Sequence, residues 1–184
     1  MEYLERSEEI VGYRVKIMHR EAFKIKGYTL IVPEHKEYLV PQFWNEISAD
    51  GRLEKLKKAS SVQPWVLGLG TWDAECEKRG YRYTICIEET EHMDFTSLAQ
   101  EYTLFTKQIG ASDWMCFELT EKKGEERDFW KDNPYVMMKK LGYRFNARDD
   151  SVGLHFDAYP PDHDPESNPV MEFWITVAKS LKRP

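Results

Sequence analysis

The apolar and polar positions alternate in short stretches, with helical spacing between them. In RVKIMHREAFKIKGYTLIV, Arg14 to Val32, Val15 and Ile17 alternate with charges. Phe23, Ile25, Gly27 and Thr29 then alternate with Lys24, Lys26 and Tyr28. Period two predicts two strands, ended by Pro33. From Glu37 to Ala49, Leu39, Val40, Phe43, Trp44 and Ile47 recur at helical spacing, with Pro41 in the first turn and Asp50-Gly51 as the stop. A second short helix is expected over Arg52 to Lys58. PWVLGLGTW, Pro64 to Trp72, and YRYTICIE, Tyr81 to Glu88, read as strands on either side of a turn around Lys78-Arg79-Gly80.

The second half follows the same order. Tyr102 to Ile109 and Asp113 to Leu119 are expected strands, and Glu125 to Leu141 an expected helix interrupted at Asn133-Pro134. SVGLHFDAY, Ser151 to Tyr159, is a strand. A turn-rich loop runs from Pro160 to Pro169, and VMEFWITV, Val170 to Val177, is the closing strand. FWNE at Phe43 to Glu46 answers FWKD at Phe129 to Asp132, and YTICI at Tyr83 to Ile87 answers FWITV at Phe173 to Val177. These matches predict an α+β fold of tandem duplicated βαββ modules with pseudo-twofold symmetry: an antiparallel sheet with helices on one face. Residues 1–12 form an N-terminal extension, and residues 13–179 a single domain with repeats at about 13–90 and 100–179.

One residue breaks the apolar run of the last strand. An unpaired carboxylate in a low-dielectric site costs several kcal/mol or shifts its pKa, so Glu172 needs a partner. Alternation puts Phe173, Ile175 and Val177 under the helix and Glu172, Trp174 and Thr176 on the other face. Glu172 then occupies the place of Arg82 in the first repeat. It faces a ligand, pairs with Arg82, or lies at a solvated rim. Trp44 and Trp130, on helical stripes, are expected in the core, and Trp114 in strand packing.

Formal net charge is −6, which argues against direct nucleic-acid binding, since phosphate contacts call for a basic patch. Cys76, Cys86 and Cys116 are well separated, contain no CxxC pair and suit reduced thiols in a cytoplasmic protein. No apolar leader or membrane-length run occurs. DHDPE, Asp162 to Glu166, places a His between carboxylates, but these neighbours in one loop lack metal-ligand spacing. Neither a metal nor a cofactor is expected. The basic stretches KLKK and MMKK, and EKKGEER at Glu121 to Arg127, read as solvated faces and a loop. GLG at Gly68 to Gly70 lacks the turn-to-helix context of a phosphate loop.

REAFKIKGYTL, FWNEI, YRYTICIE, DWMCFELTEKKG, DFWKDNP, LHFDAYPPD and MEFWITV together, over roughly residues 13–179, resemble the GyrI-like effector-binding domain of AraC-type and MerR-type drug-responsive regulators. The resemblance implies an aromatic-lined ligand cleft between the repeats and an acidic residue that pairs with lipophilic cations. It carries over onto Glu172 and Trp174, and onto Asp157 and Tyr159 of FDAY. Pseudo-symmetry adds Trp65, Trp72 and Tyr83. Family members commonly carry Pro where Thr176 stands. With only about a dozen residues ahead of the first strand, the chain is similar to stand-alone members that lack a DNA-binding segment. The expected function is binding of a lipophilic, aromatic or cationic small molecule. One alternative is a hydrolase that opens electrophilic cyclopropane-bearing toxins, with Glu172 as catalytic base. Another is a protein partner that acts on a regulator or a topoisomerase.

Overall fold

The computed structural model describes residues 2–72, 76, 80–120, 128–147, 153–164 and 166–180. Among the described residues ten strands and five helices form an antiparallel α+β fold. The chain divides into two compact units, Phe23–Gln108 and Met1–Ala22 with Ile109–Pro184.

The contiguous unit contains β3 (Phe23–Val32), α1 (Leu39–Ala49), α2 (Arg52–Lys58), β4 (Val66–Thr71), β5 (Tyr81–Glu89), α3 (Thr96–Glu101) and most of β6 (Phe105–Ile109). Its strands lie in the order β4-β5-β3-β6. The apolar stripe of α1 buries Phe43 and Ile47, and α2 buries Leu56. Beneath them Tyr83, Ile85 and Ile87 of β5 share one face, opposite Leu30, Tyr28 and Lys26 of β3. Two close approaches need glycine. A Cβ on Gly27 would lie 2.0 Å from the Ile85 carbonyl oxygen, and one on Gly68 2.2 Å from the Tyr83 hydroxyl.

The second unit joins both ends of the chain. It contains β1 (Glu2–Ile10), β2 (Tyr13–Arg20), β7 (Ser112–Thr120), α4 (Phe129–Asp132), α5 (Pro134–Lys140), β8 (Tyr143–Phe145), β9 (His155–Tyr159) and β10 (Val170–Lys179). Strand order is β1-β2-β7-β10-β9, with β8 also paired to β10. Val15, Ile17, Met115, Phe117, Phe173, Ile175 and Val177 form the core with Phe129, Met137 and Met138 of the two helices.

The helix expected over Glu125 to Leu141 is two helices. Asn133, at φ +61°, separates them, and its side chain accepts hydrogen bonds from the backbone N–H groups of Tyr135 and Val136. Pro134 occupies the first turn of α5, where a missing N–H costs nothing. The start of that expectation, residues 125–127, lies outside the described residues. So do the EKKGEER stretch, Lys78 and Arg79 of the expected turn, and Ser151 and Val152 of SVGLHFDAY.

Three findings differ from the sequence reading. The extension ahead of the first expected strand holds a strand of its own, β1, paired antiparallel to β2. Its register shifts between Leu4 and Arg6, so the alternation changes phase midway and period two is lost in the sequence. Residues 96–101 form α3, and the strand expected from Tyr102 starts only at Phe105. Trp130, expected in the core, is 57% exposed. The helix α4 is only one turn long. It points Phe129 inward and leaves Trp130 at the edge, its ring centroid 5.2 Å from that of Phe173 in an edge-on contact.

Candidate functional site

Strand β10, flanked by β7 on one side and by β9 and β8 on the other, shares both sheet faces with them, and β2 lies next beyond β7. On the face away from the helices, Trp174 lies opposite Cys116 and Phe156, and Glu172 opposite Glu118 and Ala158. Lys16 of β2 also lies opposite Cys116. Trp114, Phe156 and Trp174 make a buried aromatic cluster here, with centroids 5.4 Å apart for Trp114–Phe156 and 6.4 Å for Trp114–Trp174. The buried Arg20 holds its guanidinium 5.2 Å from the Trp174 ring centroid. A cation on an indole contributes about 2 kcal/mol when desolvated.

Glu172 stands at the end of this cluster. Trp174 Nε1 donates to its Oε2 at 2.5 Å, and Lys16 Nζ to its Oε1 at 2.7 Å. The ion pair considered for Glu172 therefore exists, with Lys16 in the role given to Arg82. In its own unit Arg82 donates to Thr29 Oγ1 and lies over Phe105. The Glu172 side chain is 14% exposed and that of Lys16 36%. Glu118, directly across from Glu172, pairs with Arg14 at 3.5 Å. Two carboxylates facing each other across a strand pair repel, and Arg14 and Lys16 offset that repulsion. Arg14, Val15, Lys16, Cys116, Glu118 and Glu172 line a pocket of about 100 Å³.

The other expected site residues are more dispersed. Asp157 lies opposite Phe173, so it faces the helix side, and alternation puts Tyr159 there too. Both point away from the face of Glu172 and Trp174. The Tyr159 ring packs edge-on against His163 at 4.9 Å. Tyr83 also faces its unit's helices, and its hydroxyl accepts a hydrogen bond from Trp44 Nε1 at 3.0 Å. Trp72 is 66% exposed beside Tyr81, at 5.6 Å, and Trp65 is half-buried. Glu172 and Trp174 are thus the expected pair that shares a face and a hydrogen bond. The sequence reading missed Lys16, Arg20, Glu118 and Phe156, because only strand register, which no local pattern encodes, brings them to that face.

The DHDPE loop is held by turn chemistry. Asp164 Oδ1 accepts from the backbone N–H groups of Glu166 and Ser167 and from the Ser167 hydroxyl. These hydrogen bonds hold its carboxyl below the usual carboxylate range. Among the described residues no group of three His, Cys, Asp or Glu side chains converges as a metal site requires, and no helix is long and apolar enough to cross a membrane.

No protein-family profile matches the chain, and no curated protein matches it. Solved structures do. The chain is similar to SAV2435 bound to tetraphenylphosphonium, with TM-score 0.64 and 16% identity over 89% of this chain and 93% of that one. It is similar to a putative bacterial transcription regulation protein from Staphylococcus aureus MU50, with TM-score 0.59 and 15% identity over 90% and 97% of the two chains. The C-terminal domain of EcmrR matches with TM-score 0.53 and 12% identity over 91% and 98%. At these identities the likeness is one of fold.

Proposed function

We propose that this chain binds lipophilic small molecules, organic cations among them, with Glu172 and Trp174 as the anchoring pair. The observation that carries the reading is the hydrogen-bonded carboxylate and indole at the end of a buried aromatic cluster. The carboxylate supplies charge pairing, and the buried Trp174 indole, held under Arg20, orients it through the Nε1–H hydrogen bond. The likeness to a protein bound to tetraphenylphosphonium supports that ligand class. A GyrI-like effector-binding domain of two βαββ repeats is the architecture we favour. It is supported by the strand that ends each expected repeat lying between two others of its own unit, β4-β5-β3 in one and β9-β10-β7 in the other. The negative net charge supports action without direct nucleic-acid contact; in this reading the protein works in the cytoplasm, with a regulator as the protein that would read the bound state.

The test is a thermal-shift titration with tetraphenylphosphonium on wild type and on Glu172→Gln. At a hundred times its dissociation constant the ligand should add about 2.7 kcal/mol of stability. Wild type should respond, and the variant should lose most of the response. No response in wild type, or an equal response in both proteins, would sink the reading. Following bound compounds for product formation tells binding from turnover.

A further inference from the structure

The carboxylate proposed to meet an organic cation already holds one. Lys16 Nζ sits 2.7 Å from Glu172 Oε1. We infer that Lys16 is a built-in competitor at this site: a tethered cation that a guest must displace, and that sets both the affinity and the charge selectivity of binding. This inference rests on the binding reading above.

Three observations on one sheet face lead to it. The first is charge balance. Glu118 and Glu172 lie opposite each other on β7 and β10, and Arg14 and Lys16 meet them from β2. Two negative groups face two positive ones. If the Lys16 ammonium moves into water and a guest cation takes its place, the balance is kept. A neutral guest in that place would leave Glu172 without a countercharge at 14% exposure, which carries a desolvation cost. The site therefore favours cations over neutral compounds of the same shape.

The second observation is mobility. The Lys16 side chain is 36% exposed, and its four-carbon stem can swing its ammonium to solvent without moving the backbone. The backbone at Lys16 is fixed between β1 and β7. The third is space. With Lys16 in place the pocket holds about 100 Å³, below the roughly 300–1,000 Å³ of sites for drug-sized ligands. Lys16 is itself part of the lining, and its departure adds the volume of its side chain where the carboxylate is. Arg20, by contrast, is buried over the Trp174 ring and stays with the indole.

A competing internal state weakens apparent affinity by the fraction of molecules it occupies. A half-exposed ion pair of ordinary strength predicts that removing Lys16 tightens cation binding by about fivefold. The experiment is a calorimetric titration of tetraphenylphosphonium and of the neutral triphenylphosphine oxide into wild type, Lys16→Gln and Lys36→Gln. Lys36 is an exposed lysine outside the pocket lining, so its variant controls for the loss of one positive charge. Lys16→Gln should bind the cation about fivefold tighter with the neutral probe unchanged, and Lys36→Gln should match wild type. If wild type binds the cation and Lys16→Gln binds it no tighter, Lys16 is a structural ion-pair partner and the inference falls while the binding reading stands. If neither protein binds the cation, both fall. Should Lys16→Gln fail to fold, wild type labelled with 13C-dimethyl groups on its lysines answers the same question. The resonance missing from Lys16→Arg should move towards the free-lysine position on saturation with tetraphenylphosphonium. A resonance that stays in place overturns the inference.

Discussion

Thr176 sits where β10 changes neighbours, from β9, which ends its pairing at Ile175, to β8, which begins at Val177. The fully buried side chain closes that seam. Its Oγ1 accepts from Leu154 N at 3.2 Å and is within donating distance of the carbonyls of Leu154 and Asn146. Its own backbone N–H donates to the Leu154 carbonyl. Thr176→Val keeps the shape and removes the hydroxyl, leaving a buried N–H without its acceptor. Urea denaturation should show a loss of about 1–3 kcal/mol, and Thr176→Ser should recover most of it. His155 is a second residue whose role is set by its surroundings. Its ring packs 5.3 Å from Phe173 and 6.3 Å from Trp130, and burial pushes its pKa below the ordinary 6.5. The unfolded chain then binds a proton that the native state does not. Stability from this group is full above about pH 6.5 and falls as pH drops through the lower native pKa. Stability measured from pH 7.5 down to 5 should decline more steeply in wild type than in His155→Leu.

Among the elements, the pair α4 and α5 depends most on one side chain. Asn133 ends one helix and starts the next, holding a positive φ while its amide oxygen caps two N–H groups of α5. Asn is among the few non-glycine residues that reach positive φ readily. Asn133→Ala removes the cap and strains the backbone, and should cost about 1–2 kcal/mol in urea denaturation. Asn133→Gly relieves the strain and should lose less. A cost for Gly larger than for Ala would contradict this account. The same junction explains Trp130. With α4 stopped after a single turn, no further residue of that helix covers the indole.

For the molecule as a whole, what the sequence revealed depended on how local the signal was. Period two found β2, β3, β5, β7 and β10, and it placed Phe173 and Ile175 opposite Glu172 and Trp174 on β10. It missed β1, whose register shift hides the alternation, and β8, which is too short to show one. The site was legible only as far as one strand reaches. Alternation joined Glu172 to Trp174. Asp157 and Tyr159 were grouped with them by resemblance, whereas cross-strand register sets Asp157 opposite Phe173. Lys16 lies 156 positions from Glu172 in the chain, and nothing local links the two. That separation has a consequence for the order in which the fold can arise during synthesis. The contiguous unit, residues 23–108, has all its strands once β6 is made. The hairpin of β1 and β2 is made earlier and gains β7 as its partner, yet β7 lacks its other neighbour until β10 is made. Domains usually complete themselves from the N-terminus onward. Here residues 23–108 can be complete while the sheet holding β2 still lacks a strand, and Lys16 meets Glu172 only once β10 is made.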